Sequence, residues 1–211
     1  MQEERIETTE TAVADADRRL VERVRGGDLR AFEALVRRYE RFVFTLALRM
    51  LGDRDEADDV AQEIFLKAYT GLPSFRGASR FSTWLYAIAS HHCLDSRASR
   101  TRRPVSFSSL QASGHASDDP PDPASRLADP APRADELLER KEAALQVQAA
   151  LAGLTDDHRL ILILREIQGL SYDEIAESIG EELGTVRSRL HRARAAFRLR
   201  VQSAAADGRE A

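Results

Sequence analysis

The residues of this 211-residue chain best placed to do chemistry are arginines. From Thr185 to Arg200 there are six (187, 189, 192, 194, 198, 200), with one histidine and no carboxylate. An ordinary solvated helix mixes charge signs for support between neighbouring turns, so an unbroken positive run points to a phosphate partner. Two further stretches are equally one-sided. Residues 53–63 (DRDEADDVAQE) set six carboxylates against Arg54. Residues 75–103 set six arginines against Asp95 and interleave Phe75, Phe81, Trp84 and Tyr86. Arginines among aromatic rings suit single-stranded nucleic acid, with rings stacking on bases while guanidinium groups hold the backbone. Core packing is the competing use of those rings. For the acidic run the competing use is a solvated helix face; a divalent-metal site lacks the other convergent oxygen ligands.

Other chemistry is missing by pattern. The five histidines (His91, His92, His115, His158, His191) show no metal-ligand spacing. No glycine-rich phosphate loop is present, and no nucleophile is paired with a base by motif. A metal-dependent nuclease is therefore not indicated, and no catalytic residue, metal or cofactor is expected. The single cysteine, Cys93, excludes an internal disulfide and reads as a buried thiol. Composition is that of a soluble protein, 43% hydrophobic and 31% charged, and no apolar run approaches a membrane span. The first twenty residues lack a signal-peptide apolar core, so a cytoplasmic location without direct membrane insertion is expected. The net charge of −4 says little about nucleic-acid binding, which local patches decide.

The elements that must position these groups all read as helices, giving an all-α chain. Residues 1–17 read as an unstructured acidic tail. A short helix from Asp17 to about Arg25 is broken by Gly26 and Gly27, and Leu29 to Leu51 is helical throughout. Helices from Asp55 to about Gly71 and from Thr83 to about Ser99 follow; in the first, Ala57, Val60, Ala61 and Ile64 form the buried stripe. Residues 104–135 hold six of the seven prolines among Ser, Asp and Ala, which reads as a flexible linker. Helical pattern resumes from about Ala134 to Gly153, then from Asp156 to Ile167.

The last two helices read as a helix-turn-helix. Ser171 and Glu174 have capping-box spacing, Ile175, Ala176 and Ile179 face inward, Gly180 suits a left-handed stop, and Thr185 is a good cap for the next helix. There Val186, Leu190, Ala193 and Phe197 share one face, which turns Arg187, Ser188, His191 and Arg192 outward, where they can reach base edges and phosphates.

In combination these motifs, DEADDVAQEIFLKAY, then FSTWLYAIA at Phe81 to Ala89, then GLSYDEIA and GTVRSRLHRAR in that order, resemble the extracytoplasmic-function (ECF) sigma factors, small promoter-recognition subunits of bacterial RNA polymerase. The resemblance covers about residues 20–103 and 136–200. It implies a region 2 domain at 18–103 and a region 4 domain at 136–201, with a short tail at 202–211. Asp55, Asp58, Asp59, Gln62 and Glu63 would meet a basic coiled coil of the largest polymerase subunit. Recognition and melting of the minus-ten element would fall to Arg80, Phe81, Trp84, Tyr86, His91, Arg97, Arg100, Arg102 and Arg103, with a flipped base near the end of the Trp84 helix. Thr185, Arg187, Ser188, His191 and Arg192 would read the minus-thirty-five element. The linker would thread toward the polymerase active-site cleft, and an anti-sigma factor and a stress or envelope-response regulon are implied.

Two positions depart from the family pattern. His91 stands where many members have asparagine, and Glu181 with Glu182 makes the turn before the last helix more acidic than usual. A stand-alone helix-turn-helix regulator is the alternative reading, but it leaves the acidic helix and the aromatic-basic stretch without a use.

Overall fold

The computed structural model describes residues 2–102 and 134–207, so Arg103 and all but the last two residues of the expected linker lie outside it. The described residues are helical, with no strand among them. Helix α1 spans Gln2–Arg25, where a tail to residue 17 was expected. Its early residues are rich in Glu and Ala, good helix formers whose propensity outweighs the low apolar content. What docks α1 is Asp17, 2% exposed, whose carboxylate accepts hydrogen bonds from Arg38 and from the Tyr39 hydroxyl.

Helix α2 (Leu29–Leu51) opens on Asp28, whose carboxylate caps the Arg30 and Ala31 amides, and stops at Gly52 in the left-handed conformation, φ 82°. Helix α3 (Arg54–Gly71) is capped by Asp53, and a short 3₁₀ turn, Leu72–Ser74, leads toward α4 (Phe81–Arg102). Leu35, Val43, Leu46 and Met50 of α2, Ile64 of α3, and Leu85, Ala89 and Cys93 of α4 build the core. Burial pushes the Cys93 thiol up to about 12, so it stays protonated and inert.

In the second half, α5 (Ala134–Ala152) precedes α6 (Asp156–Leu162), which continues as one π-helical turn, Ile163–Ile167. Helices α7 (Tyr172–Ile179) and α8 (Leu183–Asp207) follow. The α8 helix runs past the expected end near residue 201, because Val201 to Asp207 contains no glycine or proline to stop it.

The two halves pack into one apolar core, with α7 against α4 and α5 and α6 against α2. Polar bonds cross the join. Arg97 and Arg159 both donate to the Met50 carbonyl, at 2.7 and 2.9 Å. Gln168 reaches the Phe42 carbonyl at 3.1 Å, and Arg49 donates to Gln148 at 3.1 Å. The proline-rich stretch thus joins helical units that lie in contact.

Candidate nucleic-acid and partner interfaces

The helix-turn-helix forms from its local sequence. Ser171 and Glu174 close a full capping box at the start of α7, and Gly180 ends it at φ 68°. Val186, Leu190 and Ala193 are buried as their spacing requires. Helix α8 begins earlier than its cap signal suggested: the Glu182 carbonyl accepts from the Val186 amide at 3.0 Å, which puts Thr185 inside the first turn. Thr185 is half-buried there, and its carbonyl accepts from the Ser188 hydroxyl at 3.0 Å.

Four arginines of the row divide into two sets. Arg189 pairs with Glu181 at 3.0 Å and Arg194 with Glu166 at 2.6 Å, so both are held within the chain. Arg187, Ser188, His191 and Arg192 stand exposed along the opposite side of α8. Arg192 Nε donates to the Ser188 carbonyl at 3.3 Å, which lays its stem along the helix. This pairing gives Glu181 a structural use: it neutralises an arginine on the flank of α8, while Glu182 points to solvent.

The aromatic-basic helix α4 is more enclosed. Phe81 is 5% exposed and belongs to the core, so its ring supports the surface from beneath. Trp84 is half-buried, with its ring 5.0 Å from Phe75 and 5.8 Å from Phe81. It rests over Gly71, where a Cβ would come within 3.2 Å of the indole. Tyr86 stacks on Phe42 at 3.8 Å, and burial, then the Glu174 and Asp17 charges, hold its phenol well above the ordinary range. Arg80 faces Glu174 of α7 at 4.0 Å. Arg97 bonds Asp156 of α6 at 2.5 Å, and Arg100 bonds Glu56 at 2.7 Å. His91 is exposed and donates from Nδ1 to the Ala87 carbonyl at 2.7 Å, while Arg102 ends α4. Of the residues expected to meet single-stranded DNA, Phe81 to Arg102 lie on α4 and Arg80 immediately precedes it, and most of those described are engaged within the chain in this arrangement.

The acidic helix matches its expected pattern. Ala57, Val60, Ala61 and Ile64 are buried, and Asp55, Asp58, Asp59, Gln62 and Glu63 are exposed. Glu56 turns aside to Arg100. Beside this edge, Val36, Phe44, Ala61 and Phe65 line a shallow cavity of about 410 Å³ that Glu40, Arg41, Asp58 and Gln62 border. The exposed carboxylates along this edge suit a basic partner.

Reading the sequence missed two residues. His92 is 8% exposed and bonds Glu63 across the α3–α4 contact. Its signal was available, because His92 continues the stripe through Leu85 and Ala89 at helical spacing. Arg159 is 1% exposed, and nothing in DDHRLILIL marks it as interior.

Among the described residues no helix is long and apolar enough to cross a membrane. The Sigma-70 region 2 family matches residues 35–103, and the Sigma-70, region 4 family matches residues 144–197. The chain is 42% identical over 189 residues to the RNA polymerase sigma-H factor of Pseudomonas aeruginosa, covering 87% of this chain and 92% of that one. It is 40% identical over 186 residues to the ECF RNA polymerase sigma-E factor of Escherichia coli, covering 88% and 94%. Among solved structures it is similar to CnrH in complex with the cytosolic domain of CnrY, with a TM-score of 0.63, 27% identity, and coverage of 90% of this chain and 99% of that one. The Bartonella quintana sigma factor RpoE, solved with the anti-sigma factor NepR, shares the fold at a TM-score of 0.56 and 20% identity, over 81% of this chain and 96% of that one.

Proposed function

The chain belongs to the sigma-70 family, in its ECF group, and on that premise we propose how its charged faces divide the work of starting transcription. It is a sigma factor: it binds core RNA polymerase, directs it to promoters and catalyses no reaction of its own. The exposed carboxylates of α3 (Asp55, Asp58, Asp59, Gln62, Glu63) take the polymerase's basic coiled coil. Arg187, Ser188, His191 and Arg192 of α8, with Thr185 in its first turn, read the minus-thirty-five element. Arg80 and, on α4, Trp84, Tyr86, His91, Arg97, Arg100 and Arg102, backed by Phe81, take the melted minus-ten strand, together with Arg103 beyond the described residues. What carries this division is the outward acidic edge on one half and the outward basic edge on the other, with the aromatic-basic helix between them.

The packing of α7 on α4 gives the division an order of events. Arg97 is held by Asp156, Arg80 faces Glu174, and Tyr86 is enclosed. The α3 edge is open throughout. Core polymerase therefore docks first, and the α4 surface meets DNA once the halves part. Run-off transcription tests this. Core polymerase plus the protein should give transcripts of defined length, and the protein alone should bind promoter duplex weakly. Tight sequence-specific duplex binding without core would favour the stand-alone regulator. CnrH was solved with the cytosolic domain of CnrY, and an anti-sigma partner of that kind is proposed for this chain as well.

Arg187 and Arg192 should behave differently on the minus-thirty-five side. Arg187 lies near the start of α8, where side chains reach the major groove, so Arg187→Ala should cost about 1 to 3 kcal/mol and relax preference at one or two positions. Arg192 lies more than a turn further on, its stem along the helix. Its loss should weaken all sequences alike and shallow the slope of log affinity against log salt by roughly one unit. Holoenzyme binding to a panel of mutated promoters at several salt concentrations separates the two. A uniform loss from both variants would move base reading to Ser188 or His191.

A further inference from the structure

Glu63 and Lys67 are four residues apart on α3, with the acid toward the N-terminus, the favourable order for an ion pair along a helix. They do not form one directly. The His92 imidazole of α4 stands between them, with Nε2 2.7 Å from Glu63 Oε2 and Nδ1 2.7 Å from Lys67 Nζ. An ammonium only donates and a carboxylate only accepts. The ring is therefore the neutral tautomer that accepts at Nδ1 and donates from Nε2. His92 is 8% exposed, so packing fixes its ring, while the Glu63 side chain is 61% exposed.

Without the ring, Lys67 would fold back along α3 and cover the Glu63 carboxylate. With the ring in place, the lysine is spent on Nδ1, one Glu63 oxygen is anchored and the other faces solvent. We propose that His92 is a positioning residue for polymerase binding: it keeps Lys67 off Glu63 and presents that carboxylate to a cationic side chain of the core enzyme. The inference rests on the reading that the α3 edge meets core polymerase.

The test measures affinity of the full chain for core polymerase, with urea midpoints as a check on folding. Glu63→Gln should weaken binding roughly three- to tenfold, as loss of a rim charge does. His92→Phe should weaken it similarly, and His92→Gln, which keeps a donor and an acceptor, should restore it. The deciding variant is His92→Phe with Lys67→Ala. If the histidine's work is to hold the lysine away, deleting the lysine returns affinity to near wild type; a purely structural defect would persist. Wild-type binding by His92→Phe, or a defect that Lys67→Ala leaves unchanged, overturns the proposal. Wild-type binding by Glu63→Gln overturns instead the reading of the α3 edge beneath it.

Discussion

Replacing Arg159 with methionine should lower the unfolding free energy by roughly 3 to 5 kcal/mol, since each buried carbonyl left without its donor costs about 1 to 3 kcal/mol. The side chain is 1% exposed, and its guanidinium spends its donors on backbone. Nε donates to the Leu151 carbonyl at 2.7 Å, and Nη2 to Ala152 and Leu154 at 2.7 and 3.2 Å. Nη1 reaches the Met50 carbonyl at 2.9 Å. All four acceptors lie at or just beyond helix C-termini, where carbonyls lack intrahelical partners and the helix dipole is negative. One cation thus finishes α5 and ties it to α2. Methionine fills much of the volume, so the loss reports the orphaned carbonyls more than a cavity. They are not orphaned equally. Met50 keeps its bond from Arg97 at 2.7 Å and Leu151 keeps one from the Leu154 amide at 3.0 Å, whereas Ala152 and Leu154 lose the guanidinium donor. Hydrogen exchange should therefore quicken around Ala150 to Leu154 before it quickens at the end of α2. Arg159→Lys should recover only part of the loss, because a point charge cannot span two helix ends. Urea unfolding followed by circular dichroism gives the magnitude; a change under about 1 kcal/mol would mean that water satisfies those carbonyls and that the arginine is dispensable.

How much of this was legible in the sequence follows from the range of each interaction. The α7 capping box, the left-handed stop at Gly180 and the Val186, Leu190, Ala193 stripe are short-range, so type and spacing declare them. The same holds for the buried and exposed sides of α3. Arg159, and the Arg97–Asp156 pair that spans the join, depend on how one half meets the other across a segment whose composition carries no register. The arginine row shows the boundary most clearly. Sequence placed six like charges together, but which of them are held within the chain depends on Glu166 and Glu181 arriving from other elements. The neighbouring histidines divide for a local reason that could have been read. A helix turns about 100° per residue, so His92 falls on the core stripe and His91 on the exposed side.

Reversing two charges on α3, Asp59→Lys with Glu63→Lys, should weaken core-polymerase binding at least thirtyfold, about 2 kcal/mol, and leave the fold intact. Both positions are exposed on the outward side of α3, and the one bond to a buried group that the reversal breaks is Glu63 to the His92 ring. Asp59 gives the cleaner signal, since no hydrogen bond or ion pair engages it among the described residues and its reversal removes nothing but its own field. Lysine at 63 also loses the His92 bond and crowds Lys67, which adds to the defect. The effect should depend on salt. Against a basic partner, wild-type affinity should fall as sodium chloride rises, because exposed charges are screened within about 8 to 10 Å at these ionic strengths. The reversed variant, repelling the same partner, should show a flatter or inverted slope. Affinity of the full chain for minus-thirty-five DNA should stay the same, since Arg187, Ser188, His191 and Arg192 sit on α8, in the other half. If the double variant binds core as the wild type does, with the same salt slope, the α3 carboxylates are a solvated helix face and the polymerase must be met elsewhere. If DNA affinity falls together with core affinity, the two functions share a surface, and the division between α3 and α8 is wrong.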